Sequence, residues 1–251
     1  MIHSFLLIGQ SNMAGRGVLD EAPDIDTSRI KVLRNGRWQN MFRPVNFDRP
    51  FSGVCLAESF AYEYSKKYNV DVGLIPCADG GTKLEQWKEG SLLYDNAVFN
   101  AKLASRTSTI AGVLWHQGEG ECEKEEWYLT YKERFEKFMA SLRRDLDLYD
   151  VPFILGGLGD YLVNRIQNEE LKNYIYINDA LKRIAKENPM TGFASAKGLN
   201  CKDDNLHFNT ASLYEFGKRY FEEFEKYVDK NKVFVEKPCE DDALRSEMEL
   251  L

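Results

Sequence analysis

The 251-residue sequence predicts one α/β domain, a three-layer α/β/α sandwich around a mostly parallel sheet. Three observations lead there. Short apolar runs recur along the chain, with stretches of helical hydrophobic spacing between them. The strongest runs are continuous rather than alternating, as in strands covered on both faces. Several end on a short segment of glycine and small polar residues, and open α/β sheets hold their ligands at the carboxyl ends of their strands.

Ile2 to Ile8 is the first such strand, and it passes without a gap into Gly9-Gln10-Ser11-Asn12-Met13-Ala14-Gly15. Residues 16–50 are irregular, broken by Pro23, Pro44 and Pro50, although Ile30 to Leu33 suits a short strand and Arg34-Asn35-Gly36-Arg37 a hairpin turn. A loop of that length is often functional. Trp38, Phe42 and Phe47 either line a pocket mouth or form a satellite apolar cluster. Leu56 to Tyr68 has helical spacing, with Lys66 and Lys67 in the last turn where the helix dipole favours them. Val70 to Cys77 is the second main strand, Asn96 to Arg106 a helix, and Ile110 to Trp115 the third strand. Lys124 to Leu148 reads as one long amphipathic helix, acidic in front and carrying Arg143 and Arg144 behind. Val151 to Leu155 is the fourth strand and Glu169 to Asn188 a helix stopped before Pro189. Gly192 to Ala196 is the fifth strand, and Thr210 to Val228 the closing helix with Thr210 as its N-cap. The alternation implies a five-stranded, mostly parallel, flavodoxin-like sheet with right-handed crossovers. Without a linker or repeat, residues 1–229 form the domain and 230–251 a polar, acidic tail.

The formal charge of −7 argues against nucleic acid, which needs a basic face, and against an anionic membrane. The opening strand is too short to span a bilayer and lacks the charged front and cleavage site of a secretory signal, so a cytoplasmic location is expected. Five cysteines at scattered spacings, with no Cys-x-x-Cys, read as free thiols.

Ser11 stands at the end of the first strand, and a serine hydroxyl needs a base in hydrogen-bond reach and an acid that orients the base. The chain has three histidines. His3 lies inside the first strand, His116 closes the third, and His207 lies in a loop three residues after Asp204. An Asp-x-x-His spacing lets the carboxylate fold back onto Nδ1 and leaves Nε2 for Ser11, so His207 is favoured over His116 as the base. An acyl-transfer site also needs donors for the oxyanion. The Ser11 amide, the Gly80-Gly81 pair and the Gln117 side chain are the candidates. A metal site from His116, Glu119, Glu121 and Glu123 is disfavoured, since His-Glu-x-x-His is absent and no other histidine is near. No phosphate-cradling or dinucleotide glycine pattern exists, so no cofactor is expected.

Gly9-Gln10-Ser11-Asn12-Met13, Gly80-Gly81-Thr82 with Trp87, His116-Gln117-Gly118-Glu119 and Asp204-x-x-His207 resemble, in order, the blocks of the SGNH hydrolase superfamily. Within it they are most similar to the sialate O-acetylesterase and acetylxylan esterase branch, carbohydrate esterase family six. The resemblance covers Met1 to about Tyr220. It implies Ser11 as nucleophile, His207 as base, Asp204 as its orienter, and Gly81 or Gly80 with Gln117 as oxyanion donors. Gln117 stands where the wider superfamily has asparagine. In that branch the glutamate of the third block can also orient the histidine, which makes Glu119 a second acid candidate or an anchor for its loop. Gln10, Asn12, Trp87 and His116 are the implied substrate contacts. The implied activity is removal of O-acetyl groups from a small acetylated carbohydrate. A non-catalytic acetylated-sugar-binding or sensor protein and a sugar acyltransferase are the alternatives.

Overall fold

The structure, a computed structural model, describes residues 2–228; the acidic stretch from Lys230 on lies outside the described residues, as does Cys239. The strands are β1 (Ile2–Gly9), β2 (Ile30–Arg34), β3 (Arg37–Asn40), β4 (Asp71–Pro76), β5 (Ser108–His116), β6 (Phe153–Gly156) and β7 (Thr191–Ala194). They form one sheet in the order β3-β2-β4-β1-β5-β6-β7. All neighbours are parallel except β2 and β3.

The sheet therefore has seven strands where the sequence predicts five. The additional pair is the hairpin around the Arg34–Arg37 turn, whose short strand at Ile30 to Leu33 is not among the five expected. Asn35 and Gly36 both have positive φ (49° and 73°), which a two-residue type I′ turn requires. The hairpin extends the sheet because Ile30 to Val32 then pair in parallel with Val72 to Leu74. With it set aside, the main strands run second, first, third, fourth, fifth across the sheet, the order of flavodoxin-type sheets.

The helices are α1 (Ser11–Ala14), α2 (Ala57–Tyr68), α3 (Leu92–Ala104), α4 (Glu125–Leu129), α5 (Tyr131–Leu146), α6 (Tyr174–Glu187) and α7 (Thr210–Phe224). Phe5 of β1 meets Phe60 of α2 and Phe224 of α7 edge-on, at ring distances of 4.8 and 5.6 Å. Trp115 of β5 meets Phe135 and Phe138 of α5 at 5.2 and 5.0 Å. Phe5 pairs with Gly112, three residues before Trp115, so the two rings point to opposite faces. Thus α2 with α7 covers one face, and α5, between α3 and α6, covers the other. β1 is buried along its whole length. Removing one such ring, as in Phe5→Ala, costs about 3–5 kcal/mol.

Several boundaries differ from expectation. The long helix over 124–148 breaks at Thr130, whose hydroxyl donates to the Glu126 carbonyl at 2.6 Å and accepts from Arg134 Nε at 3.1 Å. A threonine bonded back to its own preceding turn weakens the helix there. Glu169–Asn173 is a 3-10 turn ahead of α6, and α3 starts four residues early, at Leu92. Asn209, not Thr210, caps α7: its side-chain oxygen accepts the Ser212 amide, while the Thr210 hydroxyl is engaged with Val18. Helix α7 ends at Phe224. Cys55, Cys77 and Cys122 are buried free thiols and Cys201 is half-buried. Among the described residues no helix is long and apolar enough to cross a membrane.

Candidate active site

Four loops leave the carboxyl ends of β1, β4, β5 and β7 on one edge of the sheet. The first is forced into a tight turn. Gly9 has φ of 129°, and a Cβ there would stand 2.1 Å from the His116 carbonyl oxygen, so only glycine lets β1 end against β5. Gln10 then donates its amide to that same carbonyl at 2.8 Å, and Ser11 opens α1.

Ser11 Oγ lies 3.0 Å from His207 Nε2, and His207 Nδ1 lies 2.6 Å from Asp204 Oδ2. Asp204 Oδ1 accepts the amides of Leu206 and His207, each at 2.9 Å, which locks the carboxylate in its own turn. Partial burial pushes the Asp204 carboxyl up, but the bonds from His207 and Leu206 outweigh it and hold it below the usual carboxylate range.

Of the expected oxyanion donors, Ser11 and Gly81 have amides with no acceptor among the described residues. Gly81 borders the cleft, with φ of 78° and open space where a Cβ would be. The other two expected donors are occupied. The Gly80 amide donates to Asp48 Oδ2 at 2.8 Å. Gln117 is fully buried; its Nε2 donates to the Thr82 carbonyl at 3.2 Å and its Oε1 accepts from the Tyr131 hydroxyl at 3.1 Å. Its amide ties the β5 loop to the β4 loop and has no free donor aimed at Ser11.

Glu119 makes no hydrogen bond to His207. Its Oε1 accepts from Asn12 Nδ2 at 2.7 Å and stands 3.5 Å from His116 Nε2. Burial raises this carboxyl, yet His116 and Asn12 beside it bring it below the usual range. Of the four expected substrate contacts only Gln10 borders the cleft. Trp87 is fully buried, donating to Thr82 Oγ1 at 3.1 Å and packed edge-on against Trp115. His116 and Asn12 are also buried beneath the surface, at 0% and 2% exposure. Trp38 and Phe47 do not border the cleft either: Trp38 is buried against β4, and Phe47 is exposed. Phe42 lies under the Arg34 guanidinium at 4.1 Å.

The cleft over Ser11 and His207 measures about 380 Å³. Sequence reasoning missed most of its wall. Arg16 and Asp48 form a buried bidentate pair at 2.6 and 3.0 Å, and Asp48 also accepts from Ser52 and Gly80. Burial raises the Asp48 carboxyl, and the Arg16 and Ser52 bonds more than reverse it. Asn46 clamps Ala78 by both of its backbone groups, at 3.0 and 3.1 Å. Residues 16–54 are thus an excursion, closed at its base by the Gly17–Val54 bridge, that props the β4 loop against the serine loop. The one signal for it was the length of the loop. Arg49, Lys83 and Arg165 add positive charge to the wall, with Phe51 as an aromatic face. Arg49 pairs with Asp79 and Lys83 with Glu123. Arg165 donates to the Asp204 carbonyl and to Asn168 Oδ1 and has no carboxylate partner among the described residues. Among the described residues no three His, Cys, Asp or Glu side chains converge as metal ligands. Glu121 is taken by Arg134 and the Leu84 amide.

A family model described as carbohydrate esterase, sialic acid-specific acetylesterase matches residues 1–226. The chain belongs to this carbohydrate esterase family. It is 28% identical over 241 residues to a probable carbohydrate esterase of Arabidopsis thaliana, covering 85% of this chain and 86% of that one. A solved structure of that plant protein superposes with a TM-score of 0.78 at 27% identity, over 89% of this chain and 98% of the other. NanS matches in fold, with a TM-score of 0.68 at 18% identity over 90% and 97% of the two chains. A carbohydrate acetylesterase from Xanthomonas citri matches in fold at 0.64 and 17%, over 87% of this chain and 55% of that one.

Proposed function

We propose that the protein is a serine O-acetylesterase of the SGNH type that removes acetyl groups from a small carbohydrate. The observation that carries this reading is the hydrogen-bonded line Ser11–His207–Asp204, with Ser11 and His207 bordering a cleft, in a member of a carbohydrate esterase family. His207 Nε2 takes the Ser11 proton as Ser11 Oγ attacks the acetyl carbonyl carbon. The carbonyl oxygen gains the negative charge and faces the Ser11 and Gly81 amides. His207 returns the proton to the departing sugar oxygen, leaving acetyl-Ser11. Water, deprotonated by His207, attacks the acetyl group, and acetate leaves as Ser11 regains its proton.

Arg165, with no carboxylate partner among the described residues, favours an acetylated sugar that carries its own carboxylate over a neutral xylo-oligosaccharide. This agrees with the wording of the family description. The test is acetate release from O-acetylated sialic acids, acetylated xylo-oligosaccharides and hexose acetates, by wild type and Ser11→Ala. The expected result is release by wild type, fastest on the acidic sugars, and a loss of about 10⁴-fold or more in Ser11→Ala. Equal rates in the two proteins would end the reading.

A further inference from the structure

Asn12 is buried and does not border the cleft, yet it makes three hydrogen bonds to the machinery around it. Its Oδ1 accepts the Phe208 amide at 3.1 Å. Its Nδ2 donates to the Leu206 carbonyl at 3.2 Å and to Glu119 Oε1 at 2.7 Å. His207 is the residue between Leu206 and Phe208, so one side chain grips the backbone on both sides of the imidazole. Asn12 is also the chain neighbour of Ser11, inside the same short helix. We propose that Asn12, held in orientation by Glu119, is the positioning residue that sets the distance between Ser11 and His207.

The amide can serve only one way round. Its nitrogen end faces two acceptors, the carboxylate and a carbonyl, and its oxygen end faces a donor; a flip would oppose like to like at all three contacts. Glu119 Oε1, almost wholly buried, accepts from Nδ2 at 2.7 Å and so favours that way round. The rest of the His207 loop has other supports. Lys202 donates its amide to the His207 carbonyl at 2.8 Å, and the Tyr161 hydroxyl bonds the Leu206 carbonyl at 3.2 Å. Asp204 is bonded within the same turn as His207 and travels with it. Losing the Asn12 grip therefore leaves the Asp204–His207 pair made and moves it, as a unit, away from Ser11.

The inference rests on the esterase reading above, and its test separates the two. Asn12→Asp is isosteric; it keeps an acceptor for Phe208 and turns an oxygen toward Glu119 and the Leu206 carbonyl. The expected loss in kcat is about 10²-fold, the scale of a misplacement near 1 Å. KM should stay within about threefold, and the acid limb of the pH profile should keep its midpoint because Asp204 remains bonded to His207. Adding Glu119→Gln to Asn12→Asp restores a donor opposite position 12 and should recover kcat about tenfold. Asn12→Ser, whose short side chain cannot reach both backbone groups, is the second variant and should show the same fall in kcat while still folded at the assay temperature. Either variant with wild-type kcat, a loss confined to KM, a moved acid midpoint or no recovery from Glu119→Gln would overturn the proposal. So would unfolding of both single variants at the assay temperature, which would make Asn12 a structural residue. An active wild type with an inert Ser11→Ala and indifferent Asn12 variants ends this inference alone. A wild type that hydrolyses no acetyl ester ends the esterase reading, and this inference with it.

Discussion

His207 receives its orientation from a residue only three positions away, and this has consequences for pH. The Asp204 carboxyl is held below its ordinary value, so the folded state favours its ionised form. Its contribution is present above the ordinary carboxylate value of about 3.9 and is lost only as pH falls through the depressed one. Across the range where a histidine base titrates, Asp204 therefore stays charged. The acid-side fall of log kcat/KM should have a slope of one down to about pH 4. A slope of two in a stopped assay would mean that Asp204 protonates together with the imidazole. Asp204→Asn should lower kcat by about 10²–10⁴-fold, since an amide there orients the imidazole poorly and cannot stabilise its charged form. That Ser11, His207 and Asp204 would meet was legible in the sequence because the proposed chemistry needs so few kinds of side chain, and three histidines left few choices. Gln117, Trp87 and His116 were misplaced because residue type does not report depth. All three are buried beneath the cleft: Gln117 and Trp87 bond to Thr82 of the β4 loop, and His116 ends β5 in contact with Phe208 and Phe216.

Between elements, the 16–54 excursion carries the argument. Asp48 joins Arg16, Ser52 and the Gly80 amide, so three segments meet on one buried carboxylate. Asp48→Asn leaves the Arg16 guanidinium buried without its counter-charge and should cost about 3–5 kcal/mol in a urea titration. A cost under about 1 kcal/mol would show that the pair is dispensable. The Asp48 carboxyl is also held low, so its stabilisation is complete above the ordinary carboxylate range and fades as pH falls below it. Asn209→Ala, which removes the cap of α7, should lower stability by about 0.5–2 kcal/mol. At this scale the sequence was readable where one residue decides the geometry. Asn35-Gly36 announced the hairpin, and continuous apolar runs announced the main strands. It was opaque where distant partners decide. Nothing local joins Asn46 to Ala78, and the break at Thr130 depends on a hydroxyl choosing a carbonyl over solvent.

For the molecule as a whole, an acidic chain of net charge −7 gathers Arg16, Arg49, Lys83 and Arg165 around one cleft. Arg165→Gln should raise KM about tenfold for a carboxylated acetyl sugar and leave a neutral one little changed, as loss of one charged hydrogen bond requires. Equal effects on both substrates would remove the anion-binding role. The parallel sheet brings four loops, distant in sequence, to one edge, and in the proposed mechanism the reactivity of Ser11 comes from that convergence rather than from the serine itself. The most direct measurement is labelling by a fluorophosphonate, located by peptide mass. The expected result is one adduct, on Ser11, formed by the native protein, slowed by about 10³-fold or more in His207→Ala and absent in denaturant. An adduct at another residue, or labelling of Ser11 at the same rate without His207, would contradict the account.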